Sequence, residues 1–275
     1  MSGHRFLLVA LVSLHAIASS VCATEPPRVE DVAFTAASDQ SEQRYALLVP
    51  EGFDDKKPRN LLIALHGHGS DRWQFATSEI AEARAARDVA AKHGMLYVSP
   101  DYRAATSWMG PAAEGDMVQM IAELRERFAI GRIFVCGASM GGSSALTFAA
   151  LHPELVDGVV SMNGLANHFE YERFQPEIAA SFGGGKADVP EEYKRRSAEY
   201  WPERLTMPVA ITVGGKDDGV PPASVLRLGA VLARLQPHVL TINRPETGHT
   251  TSYEDAVAAM EFVIKKSNEK SAAVK

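Results

Sequence analysis

A single serine among three glycines, in the stretch IFVCGASMGGSS at residues 133–144, has the makings of a nucleophile on a sharp turn. Ser139 follows an apolar run and opens a helical pattern, so the backbone must reverse direction within one or two residues. Gly137 and Gly141 lack Cβ atoms and relieve the crowding that such a reversal creates. The helix behind the turn directs its positive end toward the serine. No lysine follows the glycines, which excludes a phosphate loop, and the spacing is not that of a dinucleotide fingerprint. What remains from the motif alone is either an exposed nucleophile or an ordinary glycine-rich turn with a capping serine.

A serine hydroxyl attacks a carbonyl only when a base takes its proton, and that base needs an acid to orient it. Asp217 and Asp218 stand in VGGKDDGVPP, after a strand pattern and before a helix, and His249 stands in RPETGHTTSY, between the last strand and the last helix. Four of the nine histidines follow Ser139. His152 ends a helix, His238 starts a strand and His168 precedes the acid, which leaves His249 as the base. One aspartate orients it while the other caps the next helix. Acyl transfer also needs donors for a developing oxyanion: the N–H of Met140 follows the nucleophile, and the N–H of His68 lies in HGHGSD after the strand LLIAL. His66 and His68 have no third ligand at metal-binding spacing, so no metal is expected.

The elements that must position these residues alternate between strand-like and helical patterns, the sign of a mostly parallel sheet covered by helices on both faces. The strand patterns are VEDVAFTA, QRYALLVP, NLLIALHG, MLYVSP, RIFVCG, VDGVVSMNG, MPVAITVGG and HVLTINRP. Between them run helices at SEIAEARAARDVAAKHG, stopped by Gly94, at EGDMVQMIAELRERF, at GGSSALTFAALHPEL and at PASVLRLGAVLARL, with a last helix from Tyr253 and a frayed tail. Met117, Met120, Ile121 and Leu124 share one helical face and read as core. Residues 165–206 break the rhythm with aromatics, charges and a glycine run, and read as a small irregular or helical insertion near the mouth of the site. Trp108 is the substrate-wall candidate, with a loop anchor as its other reading. Tyr171, Phe174, Tyr200 and Trp201 either cover the pocket or pack the insertion onto the body.

The 275 residues are 46% hydrophobic and 23% charged, ordinary for one globular domain with a sizeable core. Arg5 precedes a 13-residue apolar run at 6–18, followed by small residues in VCA. This is the pattern of a secretory signal peptide cut after Ala23, since a bilayer crossing needs about 20 residues. The expected organisation is a leader at 1–23 and one catalytic domain at 24–275, secreted or periplasmic. Loss of Arg5 takes the net charge from −6 to −7, a balance that disfavours nucleic acid and anionic membranes as partners. Cys22 leaves with the leader and Cys136 stays alone.

GASMGG, LHGHG, GGKDDGVPP and TGHT together resemble the α/β-hydrolase superfamily, from about Gln43 to the last helix. Within it, RSAEYWPERLTMPVAITVGGKDDGVPP is similar to the catalytic domain of prolyl-oligopeptidase-type peptidases. RYALLVPEGFDDKKPRNLLIALHG is equally similar to secreted feruloyl, acetylxylan and polyhydroxyalkanoate-depolymerase-type esterases. The resemblance implies an α/β fold with an eight-stranded, mostly parallel sheet. It also makes Asp217 the triad acid, because Gly214, Asp217, Val220 and Pro221 match the shared Gly-x-x-Asp-x-x-Val-Pro pattern, with Asp218 second. Two departures stand out: the chain has no room for the peptidases' β-propeller, and Met140 replaces the aromatic that often follows their nucleophile. The expectation is a cofactor-free serine hydrolase cleaving small-molecule or carbohydrate esters. Its rivals are a peptidase acting on short peptides, an acyltransferase, and a non-catalytic binding protein on the same fold.

Overall fold

The computed structural model describes residues 28–50, 52–54 and 56–273; the expected leader lies outside them. Eight strands form one sheet: β1 (Arg28–Thr35), β2 (Glu42–Val49), β3 (Arg59–Leu65), β4 (Leu96–Pro100), β5 (Ile130–Ala138), β6 (Gly158–Met162), β7 (Val209–Gly214) and β8 (Val239–Arg244). Their order is β1-β2-β4-β3-β5-β6-β7-β8. β2 runs antiparallel to β1 and β4, and every pairing from β4 through β8 is parallel. The ends of β3, β5, β7 and β8 therefore share one edge, where the loops carrying His68, Ser139, Asp217 and His249 emerge.

The helices are α1 (Trp73–Thr77), α2 (Ala81–Lys92), α3 (Pro111–Arg127), α4 (Met140–Leu151), α5 (Gln175–Phe182), α6 (Pro190–Arg195), α7 (Ala223–Leu235) and α8 (Tyr253–Ala273). Alternate residues of each strand face opposite sides, so β3 sends Leu61, Ile63 and Leu65 into one core and Leu62 and Ala64 into the other. The first core holds α3, α4 and α7 with the insertion; the second holds α1, α2 and α8. Met117, Met120, Ile121 and Leu124 are all buried in the first. Cys136, near the C-terminal end of β5, is wholly buried in the second.

Several boundaries differ from the sequence reading: α4 ends at Leu151, short of Leu155, and α2 begins at Ala81, after an unexpected short α1. α3 starts at Pro111, three residues early, because proline's fixed φ suits a first helical position. α8 continues to Ala273 in place of the frayed tail, since the Ala- and Lys-containing run favours helix. The insertion contains α5, α6 and two 3-10 turns, Ala198–Tyr200 and Pro202–Arg204. It packs through buried Ile178, Phe182 and Tyr193.

Candidate active site

Ser139 sits at φ 58°, ψ −123°, a positive-φ conformation that non-glycine residues adopt at a cost of about 1–3 kcal/mol. Its N–H donates to Met162 O at 2.8 Å, which ties the turn to the neighbouring strand β6. The glycines are required by contact. A Cβ on Gly141 would lie 2.0 Å from Leu65 O, and one on Gly137 2.5 Å from the Gly141 carbonyl. The turn therefore packs backbone against backbone, and Ser139 stands between the strand end and the first residue of α4.

Asp217 is buried and Asp218 is exposed, so the adjacent pair stands in two different environments. Asp217 Oδ1 accepts the N–H groups of Gly219 (2.9 Å) and Val220 (2.8 Å), leaving Oδ2 to meet His249 Nδ1 at 2.6 Å. The His249 side chain is 39% exposed. When a neutral His249 donates its Nδ1–H to the carboxylate, Nε2 carries the free lone pair. The hydrogen bonds of the described residues join His249 to Asp217 but not to Ser139; Ser139 and His249 instead border one cavity of about 440 Å³. Gly67, Gln74, Glu82 and Asn163 also line it.

The loop after β3 lies against Ser139, for a Cβ at Gly67 would be 3.8 Å from the Ser139 Cβ. Gly67 N–H donates to Gln74 Oε1 (2.7 Å) and Gly69 N–H to Ala105 O (2.8 Å). Between these two engaged donors, the N–H of His68 has no partner among the described residues. Met140 opens α4, so its N–H has no carbonyl to meet inside the helix. His66 anchors the loop from below: it is wholly buried, its Nδ1 lies 2.8 Å from Gly67 O, and burial holds its pKa below the ordinary imidazole value.

Of the other histidines after Ser139, His152 faces Glu114, and burial holds His168 down to about 3. Trp108 is 1% exposed, its ring 5.9 Å from His68, 5.6 Å from Tyr171 and 5.8 Å from Phe174. Of its two readings, the geometry describes the loop anchor, because an enclosed indole offers no wall. Phe174 supplies an accessible ring: it is 39% exposed and lies 4.1 Å from His68 with the two rings tilted by 33°. Tyr171 is buried, and its hydroxyl donates to Gly219 O at 3.0 Å, fastening the insertion to the Asp217 loop.

Sequence reasoning passed over Gln74, Glu82, Asn163 and Thr251. Gln74, Glu82 and Asn163 lie in no recognisable motif and are brought to the site by the fold, while Thr251, two residues past His249, carries no sequence signal of the partners it meets.

A family model described as alpha/beta hydrolase fold matches residues 60–192. No curated protein matches the chain. Among solved structures, it is similar to the fluorophosphonate-binding serine hydrolase F of Staphylococcus aureus, with 17% identity and a TM-score of 0.68 over 86% of this chain and 99% of that one. The S-formylglutathione hydrolase of Agrobacterium tumefaciens is 18% identical, with a TM-score of 0.65 over 87% of this chain and 94% of its own. Dipeptidyl peptidase 4 of Porphyromonas gingivalis is 16% identical, with a TM-score of 0.68 over 87% of this chain; here the alignment spans only 36% of the peptidase.

Proposed function

The chain is an α/β-hydrolase-fold protein, and from that starting point we propose that it is an exported serine hydrolase that cleaves esters. Ser139 Oγ attacks the ester carbonyl while His249 Nε2 takes its proton. The N–H groups of Met140 and His68 receive the oxyanion. His249, oriented by Asp217, protonates the departing alcohol and leaves an acyl-serine. Water, activated by the same imidazole, then releases the acid. The chemistry needs no cofactor. Free enzymes often hold catalytic hydrogen bonds long and tighten them when substrate arrives, which fits Ser139 and His249 sharing a cavity without touching.

The observation that carries this reading is the 2.6 Å His249–Asp217 pair on the cavity bordered by a serine of strained backbone. Its test is turnover of p-nitrophenyl acetate and butyrate, methyl ferulate, acetylated xylan and a proline-containing dipeptide amide, each beside Ser139→Ala. Serine-dependent ester cleavage is expected. Near-normal turnover in the alanine variant would sink the proposal. A second reading, cleavage of short peptides, draws support from the similarity to dipeptidyl peptidase 4, and amide cleavage alone would favour it. Export rests on the leader pattern at 1–23, and a mature N-terminus at Thr24 in the exported protein is its signature.

A further inference from the structure

Thr251, two residues past His249, is buried and tied to three other elements. Its N–H donates to Glu82 Oε1 on α2 at 3.0 Å. Its Oγ1 accepts from Asn163 Nδ2 at 2.9 Å and lies 2.7 Å from Thr212 Oγ1 on β7. Asn163, also buried, uses its other amide atom as well: Oδ1 accepts the N–H of Gly214 at 3.1 Å. Gly214 ends β7 and stands three residues before Asp217. One carboxamide thus touches both the strand end that launches the acid and the residue that fixes the base loop.

This arrangement is costly to build. Asn163 holds φ 46°, a region that asparagine tolerates better than most side chains but still at a price in strain. It also buries an amide whose polar groups would each cost about 1–3 kcal/mol if left unpaired. A cavity wall needs none of this. A frame that holds two loops at fixed separation does, because misplacing reacting groups by about 1 Å costs on the order of a hundredfold in rate.

We propose that Asn163 and Thr251 are positioning residues that lock the His249 loop to the Asp217 loop, so that Asp217 Oδ2 and His249 Nδ1 stay paired. The proposal rests on the serine-hydrolase reading above. Asn163 borders the cavity and Thr251 stands behind it; both act through the base.

The experiment starts with the leader-free wild type and a fluorophosphonate probe. A wild type that neither turns over p-nitrophenyl acetate nor labels, or that labels equally with Ser139→Ala, overturns the hydrolase reading and this inference with it. With that control passed, four variants are compared: Thr251→Val, Thr251→Ser, Asn163→Gly and the double Asn163→Gly/Thr251→Val. Glycine keeps the positive φ accessible and valine keeps the shape of threonine, so each removes chiefly a hydrogen-bonding group. The expected result is a roughly tenfold fall in kcat for Thr251→Val and for Asn163→Gly, with KM within about twofold and phosphonate labelling slowed in parallel. Thr251→Ser restores the rate. The double variant falls within about threefold of the worse single, since both remove one shared bond. Unchanged kcat in both singles, a hundredfold additive loss in the double, or no rescue by serine would overturn the proposal. If Thr251→Val does not fold, Asn163→Gly and Thr251→Ser decide it by the same kcat and labelling criteria.

Discussion

At the scale of single residues, adjacent aspartates have different environments. The Asp217 carboxylate is held on one oxygen by two backbone N–H groups and on the other by His249, whereas the side chain of Asp218 faces solvent. Asp217→Asn would place an amide against Nδ1 and favour the wrong imidazole tautomer, so kcat on p-nitrophenyl acetate should fall by about three to four orders of magnitude. Asp218→Asn should stay within about twofold. The reverse outcome would move the acid role to Asp218. Neighbours in sequence carry no signal of this difference, which arises from the turn at 217–220 and from a loop 32 residues away. Trp108 teaches a similar lesson: an aromatic in a loop at the sheet edge reads equally as wall or anchor until its surroundings are known.

Among elements, the insertion is clamped to the body by a buried cation. Arg196, wholly buried just after α6, reaches Glu114 on α3 (2.8 Å), Glu192 (2.9 Å) and Met109 O (2.6 Å). Glu114 also faces Arg195 (2.9 Å) and His152 (3.0 Å) at the end of α4. Burial pushes the Glu114 carboxyl up, but His152, Arg196 and Arg195 outweigh it and hold the pKa at about 2. The hydrogen bond to Glu114 raises His152, against the opposing effect of burial. A depressed carboxyl contributes stability that is complete above its unfolded value of about 4.3 and fades as pH falls toward 2. A raised imidazole contributes stability that is complete below its unfolded value of about 6.5 and is lost as pH rises through its folded value. The clamp is therefore strongest near pH 5–6. Glu114→Gln should cost about 1–3 kcal/mol there, since it removes one of the two carboxylates paired with Arg196 and leaves Glu192 in place, and the gap in melting temperature to wild type should narrow toward both pH 2–3 and alkaline pH. A gap that does not vary with pH would refute the assignment. The helices of this clamp were partly visible in advance, since α3 shows its methionine face and Pro111 its start. α5 and α6 were not, because eight- and six-residue helices leave too few turns for a periodic signal.

For the molecule as a whole, what was legible follows from how parallel sheets are built. Strands buried on both faces are continuous apolar runs, and successive strands end at one edge. That Ser139, Asp217 and His249 emerge at one edge could thus be expected from the sequence alone. The frame around it could not, for Asn163 and Thr251 lie 88 residues apart and Glu82 and Thr251 lie 169 apart. The same architecture gives the chain an internal clock. Cys136 lies in β5 between β3 and β6, and burial pushes its thiol up to about 12. Alkylating reagents attack thiolates, so in the folded leader-free protein this sulfur is chemically silent at neutral pH. It reacts only when the middle of the sheet parts, an event that in a central strand approaches complete unfolding. The pace at which iodoacetamide adds one mass increment should therefore match the rate of global opening, and alkylation much faster than unfolding would mean that the sheet breathes locally beneath Ser139.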